Sequence, residues 1–340
     1  TAIRQLRSNP LFQTPRRRAE DVSPVPPPPV GSLEEERSCY VCQAKYTLVH
    51  GFYDHMCMAC GDFNFAKRSQ TADLRGRVAL LTGGRVKIGF QAGVLLLRAG
   101  AHLIVTTRFP HDAARRYARE EDFHLWCNRL EIHGLDLRRS PDVERFCQHL
   151  TQTHERLDYI VNNACQTVRR PPGFYDHLMQ AELGPLQLSD GEASILGPKL
   201  VDANPSAALS QLALVPDDLL PKEAFFPVGR LDQDEQQVDL RRINSWRLRL
   251  DEVPTIELLE VQLVNAVAPY LLNGRLRGLM TRSPERDKHI VNVSAMEGQF
   301  YRTFKSDRHP HTNMAKAALN MMTRTSAADY VLDGIHMNSV

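Results

Sequence analysis

What this chain has little of narrows it first. Its net charge is only +2 over 340 residues, so no polyanionic partner is called for and nucleic acid is not favoured. The N-terminus is polar and carries no hydrophobic segment of the kind a secretory signal needs. Apolar runs in the sequence fall short of the length that crosses a bilayer. No membrane partner is therefore expected, and the predicted location is intracellular and cytoplasmic. Seven cysteines, four of them in two CxxC pairs, suit a reducing compartment better than a disulfide framework. The chain opens on Thr rather than Met and ends within what reads as a strand, so both ends are expected to be cuts from a longer protein.

What remains is ordinary for a globular protein, with 42% apolar and 24% charged residues. The length suffices for a full α/β core plus one small accessory module. Residues 1–38 read as a disordered arm and linker. Arg4, Arg7, Arg16, Arg17 and Arg18 make its start basic, and the run Ser23-Pro24-Val25-Pro26-Pro27-Pro28-Pro29 favours an extended spacer. Residues 39–66 hold the cysteine pairs. From Arg77 onward, short apolar strands alternate with amphipathic helices: strands at Val78–Thr82, His102–Thr107, Leu130–Leu137, Leu157–Ala164, His289–Ser294 and Ile335–Val340, with helices at Ile88–Arg98 and near Pro141–Glu155. That alternation predicts an α/β fold, a doubly wound and mostly parallel sheet with helices on both faces. It breaks down between about 166 and 244, where an ordered lid with short helices is expected.

Cys39, Cys42, Cys57 and Cys60 give CxxC–x14–CxxC. Two residues between thiolates let both sulfurs of a pair face one tetrahedral metal, so a structural Zn²⁺ in a ribbon-like module is predicted. Buried free cysteines or a redox pair are the alternatives. Four thiolates leave no open position, which excludes catalysis by this metal. His50 and His55 lie between the pairs as substitute ligands. A protein partner, through this module or through the insertion, stays open.

Thr82-Gly83-Gly84-Arg85-Val86-Lys87-Ile88-Gly89 follows a strand and opens a helix, where a dinucleotide pyrophosphate binds. Its layout resembles the Thr-Gly-x-x-x-Gly-Ile-Gly turn of the short-chain dehydrogenase/reductase family, with Lys87 in place of the middle Gly. Further resemblances follow in order: Arg108 at the end of the second strand, Asp136-Leu137 after the third, Asn162-Asn163-Ala164-Cys165 after the fourth, and Lys316 on the last helix. The resemblance covers roughly 77–165 and 245–340 and implies a Rossmann-type domain over 77–340. It implies Gly83, Arg85, Lys87, Ile88, Gly89, Arg108, Asp136, Leu137, Asn162, Asn163, Ala164 and Lys316 as cofactor contacts. Arg108 stands where dinucleotide folds that choose NAD place an acid, so NADP is preferred over NAD. Cys165 is expected to be buried and inert.

The catalytic set is where the likeness thins. The family uses a Tyr four residues before a Lys, a Ser that orients the carbonyl and an Asn that holds a relay water. Lys316 matches the Lys and Asn265 the Asn. The Tyr position holds Thr312, whose alkoxide is far too basic for acid–base work, unlike a phenol with a pKa of about 10. The Ser position is Ala295, with Ser294 one residue early and on the other face of an extended strand. Tyr301 or His311, in a long loop before Thr312, are candidate replacements.

Two readings follow. One is an NADP-dependent oxidoreductase with a rearranged acid–base residue and a small-molecule substrate that the sequence does not name. The other is a catalytically impaired dehydrogenase fold that binds dinucleotide as a sensor or scaffold. Assembly into a homo-oligomer stays open in both.

Overall fold

The computed structural model describes residues 25–184, 188–198, 200, 205–219, 225–232, 234–301 and 305–340. The basic arm and the start of the proline run lie outside them. The chain divides into two compact units, with the boundary between Ala72 and Asp73.

In the first unit, strand β1 (Gly31–Ser38) pairs antiparallel with β2 (Lys45–Val49), with an irregularity between Ser32 and Arg37, and helix α1 (Met58–Arg68) follows. For Gly31–Ser38 a paired strand stands where the sequence reading placed the end of the linker, and residues 1–24 of that reading lie outside the described residues. The stretch after the prolines has backbone groups that a partner strand can pair, and β2 supplies that partner. Cys57 is the N-cap of α1 and Cys60 lies in its first turn, so the second CxxC opens a helix rather than lying in a loop.

The second unit is the doubly wound sheet. Its strands are β3 (Val78–Thr82), β4 (His102–Thr107), β5 (Leu130–Gly134), β6 (Tyr159–Asn162), β7 (Lys288–Asn292) and β8 (Ile335–Ser339). They stand in the order β5-β4-β3-β6-β7-β8, every pairing parallel. Side chains alternate between the two faces, as strand geometry requires. Leu80, Ile104, Ile160 and Ile290 enter one core with Val143, Phe146 and Leu150 of α4 (Ser140–Thr153) and Leu272 and Leu276 of α9 (Ala268–Met280). Ala79, Leu81, Leu103 and Val105 enter the other, against Val94 and Leu97 of α2 (Lys87–Arg98) and Ala113 and Tyr117 of α3 (Pro110–Ala118).

Helix α8 (Thr255–Gln262) runs through a π-turn, Leu263–Val267, into α9. Together Thr255–Met280 is long and apolar enough to span a membrane, which corrects the reading of apolar run lengths. Half of that stretch is buried, and Val264, Ala268, Leu272, Leu276 and Leu279 belong to the sheet's core. Its apolar face thus has a partner within the protein.

The insertion contributes α5 (Asp176–Leu183), α6 (Asp190–Ser194) and α7 (Ser206–Ser210). Phe174, Tyr175, Leu178, Ala207 and Phe226 pack around Phe109, the residue after β4's Arg108. Glu182 accepts the backbone N–H groups of His111 and Asp112, at 3.2 and 2.8 Å, and so caps the first turn of α3 from another helix. Burial pushes its carboxyl up to about 7. At the sheet edge the Ile132 amide donates to Ile195 O and the Gly197 amide to Ile132 O, each at 2.8 Å. Gly197 is required there, since a Cβ would meet the His133 ring at 2.6 Å.

Where β3 and β6 begin, Asp158 is fully buried and holds the sheet together. It accepts from Arg156 Nη2 at 2.7 Å, Arg77 Nη1 at 3.0 Å and the Val78 amide at 2.8 Å. Burial alone would raise its pKa, but those donors hold it below the usual carboxylate range. Because the folded pKa is depressed, this stability is present above the unfolded value of about 3.9 and is lost as pH falls through the folded value. Asp158→Asn is expected to lower unfolding free energy by about 3 kcal/mol at neutral pH, since two guanidinium groups lose their buried partner. In urea titrations the gap between parent and variant should shrink as the buffer is taken down to about pH 3. A gap that persists at that pH would show that charge pairing is not the cause.

Candidate nucleotide-binding site

The glycine turn joins β3 to α2. Gly83 has φ +68°, and a Cβ there would sit 2.8 Å from Ala164 Cα, so only glycine fits. Asn163 Nδ2 donates to the carbonyls of Thr82 and Gly83, and the Ala164 amide donates to Thr82 Oγ1 at 3.0 Å. Gly89 is as tightly placed, its missing Cβ falling 2.1 Å from Gly83 O. Lys87 takes φ +56°, the left-handed conformation that the family's glycine supplies, and so carries a strain of about 1 kcal/mol. Its side chain is exposed, with Nζ 3.9 Å from Asp234, and Ile88 is exposed beside it. The first amides of α2 lack intrahelical acceptors and point where a pyrophosphate would sit.

The cationic residues around this turn are engaged by the insertion. Arg85 is buried and donates to Asp112 at 2.6 Å and to Gln236 at 2.8 Å. It is therefore not a free phosphate ligand, which corrects its assignment. Arg108 is half-buried at the end of β4. Its Nη2 donates to Tyr175 Oη at 2.6 Å, and its guanidinium lies 4.6 Å from the Tyr175 ring centre.

Past β5, Asp136 is held in a buried ion network. Arg138 grips it at 2.6 Å and reaches Glu260 at 2.9 Å. Arg169 joins at 3.3 Å from Glu260 and forks onto Asp218 at 2.5 and 2.7 Å, while Gln166 Nε2 donates to Glu260 at 2.7 Å. Burial opposes the Asp136 charge, yet Arg138 keeps its pKa low. Leu137 is a core side chain. Asn162 is also turned inward: its Nδ2 donates to Asn273 and Asn292 at 2.8 Å each, and Asn292 continues to Thr323. Leu137 and Asn162 therefore turn their side chains into the core.

The residues that sequence reasoning missed are Arg138, Gln166, Arg169, Tyr175, Gln236 and Glu260. Glu257 and Glu260 carried a usable signal. Both acids of the mostly apolar helix α8 are buried, and a buried carboxylate requires a cation or donors.

At the catalytic end the expected positions gather only in part. Lys316 is buried, and its Nζ donates to Val293 O at 2.8 Å. Thr312 lies one turn earlier on α10 (Pro310–Tyr330), its Oγ1 3.5 Å from Thr167 O. Ser294 Oγ faces Lys316 O at 3.4 Å. Asn265, in the π-turn, is closed on Gln166 by two bonds: Oδ1 accepts that residue's N–H at 2.9 Å and Nδ2 donates to its C=O at 2.7 Å. Tyr301 is 99% exposed and does not turn back onto Lys316, which corrects its candidacy as the acid. His311 is buried with neither ring nitrogen hydrogen-bonded, and burial lowers its pKa. Five residues separate it from Lys316, so the two side chains leave α10 about 140° apart. Cys165 is exposed, not buried as expected, because the chain leaves the sheet just before it.

In the first unit the sulfurs of Cys39, Cys42, Cys57 and Cys60 all lie within 4.8 Å of one another. Burial opposes ionisation of Cys39, but backbone N–H groups of Cys42, Cys57 and Val41 lower its thiol to about 6. Cys60 is pushed up to about 12 by hydrogen bonding to Cys42 and Cys57. So many thiols at such spacing ionise together only around a shared cation. His50 is not a ligand: its Nδ1 accepts the amides of Phe52 and Tyr53, and Nε2 faces Asp62. His55 is exposed beside Asp54.

The short chain dehydrogenase family profile matches residues 77–179. An uncharacterized protein of Acanthamoeba polyphaga mimivirus is 31% identical over 297 residues, covering 86% of this chain and 59% of that protein. Retinol dehydrogenase 14 of Homo sapiens is 30% identical over 117 residues, 30% of this chain and 35% of the human protein. Among solved structures, the NADP complex of Pseudomonas aeruginosa RhlG aligns at 20% identity with a TM-score of 0.49, covering 78% of this chain and 72% of that one. This chain thus spans 59% of the viral protein's length and about a third of the human dehydrogenase's. Across residues 77–179, which hold the glycine turn and the Asn-Asn-Ala strand end, the chain is thus similar to the short-chain dehydrogenase family.

Proposed function

We propose that this chain binds a nicotinamide dinucleotide, NADP in preference to NAD, on a dehydrogenase sheet whose Tyr-dependent proton relay has been dismantled. The observation that carries the reading is the Thr312–Lys316 pair. The ammonium is in place one helical turn beyond a hydroxyl that cannot act as an acid near neutral pH. Gly83, the start of α2 and Lys316 suit the pyrophosphate and ribose. When bound, the nicotinamide would give or accept a hydride, and such a transfer needs a proton partner at the substrate oxygen. Loss of that partner favours a binding role. The second reading, an oxidoreductase with a relocated acid, is favoured by the two unpartnered nitrogens of His311.

Restoring the phenol tests the choice. Thr312→Tyr alone should give a small gain in NADPH-dependent reduction across a panel of ketones, pterins and quinones. Adding Ala295→Ser should give more, toward the roughly hundredfold that one positioned acid contributes. Parent turnover that His311→Ala abolishes would instead establish the relocated acid.

On this reading nucleotide choice rests on Arg108, which is bonded to Tyr175 and would have to leave it to meet a 2′-phosphate. Arg108→Ala should weaken NADP(H) about tenfold in calorimetric titration, as expected for one charge-assisted contact, with NAD(H) little changed. Equal losses for both nucleotides would place Arg108 outside ribose recognition.

The cysteine cluster supports a structural zinc held by Cys39, Cys42, Cys57 and Cys60, since the sulfur spacing suits one tetrahedral ion. Cys42→Ser should release that zinc and expose residues 31–68 to limited proteolysis while leaving the parallel sheet folded. Unchanged zinc content in the variant would exclude the assignment.

A further inference from the structure

A second group of metal-ligating side chains stands at the amino-terminal edge of the sheet, where the strands begin. His102 is the first residue of β4, Glu131 the second of β5, and His154 follows the last turn of α4. Their ligand atoms lie within 4.8 Å of one another and line an open cleft of about 550 Å³. We propose that His102, Glu131 and His154 form a binding site for a divalent first-row transition ion, zinc above all, separate from the cysteine cluster.

Three observations carry this. First, the distances fit a shared ion better than direct pairing. Glu131 Oε2 lies 3.4 Å from His154 Nε2 and 3.9 Å from His102 Nε2, both longer than the roughly 2.9 Å of a well-formed N–H···O bond. Ligand atoms about 2.0–2.1 Å from a tetrahedral zinc stand roughly 3.3 Å apart, so the Glu131–His154 pair already fits and His102 must close in by roughly half an ångström or more. Second, the ligands are held by a supporting shell. Glu131 Oε1 is bonded to Nε2 of the fully buried His133 at 2.6 Å, which leaves Oε2 as the free ligand. Thr153 Oγ1 lies 3.0 Å from His154 Nδ1, and a bond there orients the ring and directs Nε2 into the cleft. Partners of this kind aim metal-binding carboxylates and imidazoles. Third, the competing cation is engaged elsewhere. Arg77 also lines the cleft, but its guanidinium is paired with Asp158 and Asp287 at 3.0 Å each.

Two imidazoles and one carboxylate make a borderline donor set, suited to zinc and its first-row neighbours rather than to magnesium or calcium. His149 lines the same cleft, and water would complete the shell. The ion would join two strands and a helix, at the end of the sheet opposite the glycine turn.

The test is equilibrium dialysis of the full chain, stripped with chelator, against Zn²⁺. The parent is expected to retain one zinc per chain more than His102→Asn/His154→Asn, because the cysteine cluster is common to both and cancels. If the double variant fails to fold by circular dichroism, His102→Asn alone, at the most exposed ligand, should weaken the extra zinc at least tenfold. Equal zinc content in parent and folded variants would overturn the proposal and leave a carboxylate–imidazole cluster held by protons. Extra binding that appears only above about a millimolar zinc would overturn it too, as adventitious.

Discussion

A carboxylate inside protein must find positive charge or donors, and Glu260 finds both. Arg138, Arg169 and Gln166 converge on it from two separate segments. Arg138 carries the connection back to Asp136 on the sheet, and Arg169 carries it out to Asp218 in the insertion. Removing any one member would leave its neighbours charged and dry, which is why such a network fixes geometry even where its net contribution to stability is small. The ordered character of the insertion descends from this constraint. So does the placement of Gln166, whose backbone then clamps Asn265.

The same fastening reshapes the nucleotide site. In a dinucleotide fold the turn, the strand ends and the last helix cooperate to hold an elongated ligand. Here the turn is built as such a fold needs it, but side chains of the insertion sit on its charged neighbours: Gln236 on Arg85, Tyr175 on Arg108. A nucleotide bound here as proposed would exchange these protein contacts for its own, and its affinity would reflect the difference between the two sets. On the proposed reading, Tyr175 and Gln236 would compete with the nucleotide although neither belongs to the glycine turn.

Much of this was legible in the sequence where local pattern and tertiary outcome coincide. Val78–Thr82 and His102–Thr107 are strands because strands buried on both faces need a continuous apolar run, here Val78–Leu81 and Leu103–Val105. Gly83 and Gly89 were readable because a turn this tight admits no side chain. The cysteine spacing gave the cluster. Other features depended on distant partners. Gly31–Ser38 has no strand signature strong enough to outweigh its charge, and becomes a strand only because Lys45–Val49 lies beside it. Asn162 reads as a ligand-lining amide, yet Asn273, 111 residues away, draws it inward. Arg85 reads as a phosphate contact until Asp112 and Gln236 claim it. His102, Glu131 and His154 carry no motif at all, since parallel strand register and a helix end bring them together.

The short run Ile195–Gly197 has an importance out of proportion to its length. β5 is the outermost strand of the sheet, and an exposed outer strand is a template for pairing with other chains. By occupying both the N–H and the C=O of Ile132, this run blunts the template at its middle. The insertion is thus also a guard against edge-to-edge aggregation. Any shortening of it that spares the nucleotide site but removes Ile195–Gly197 would yield a chain limited by its solubility before its chemistry could be read.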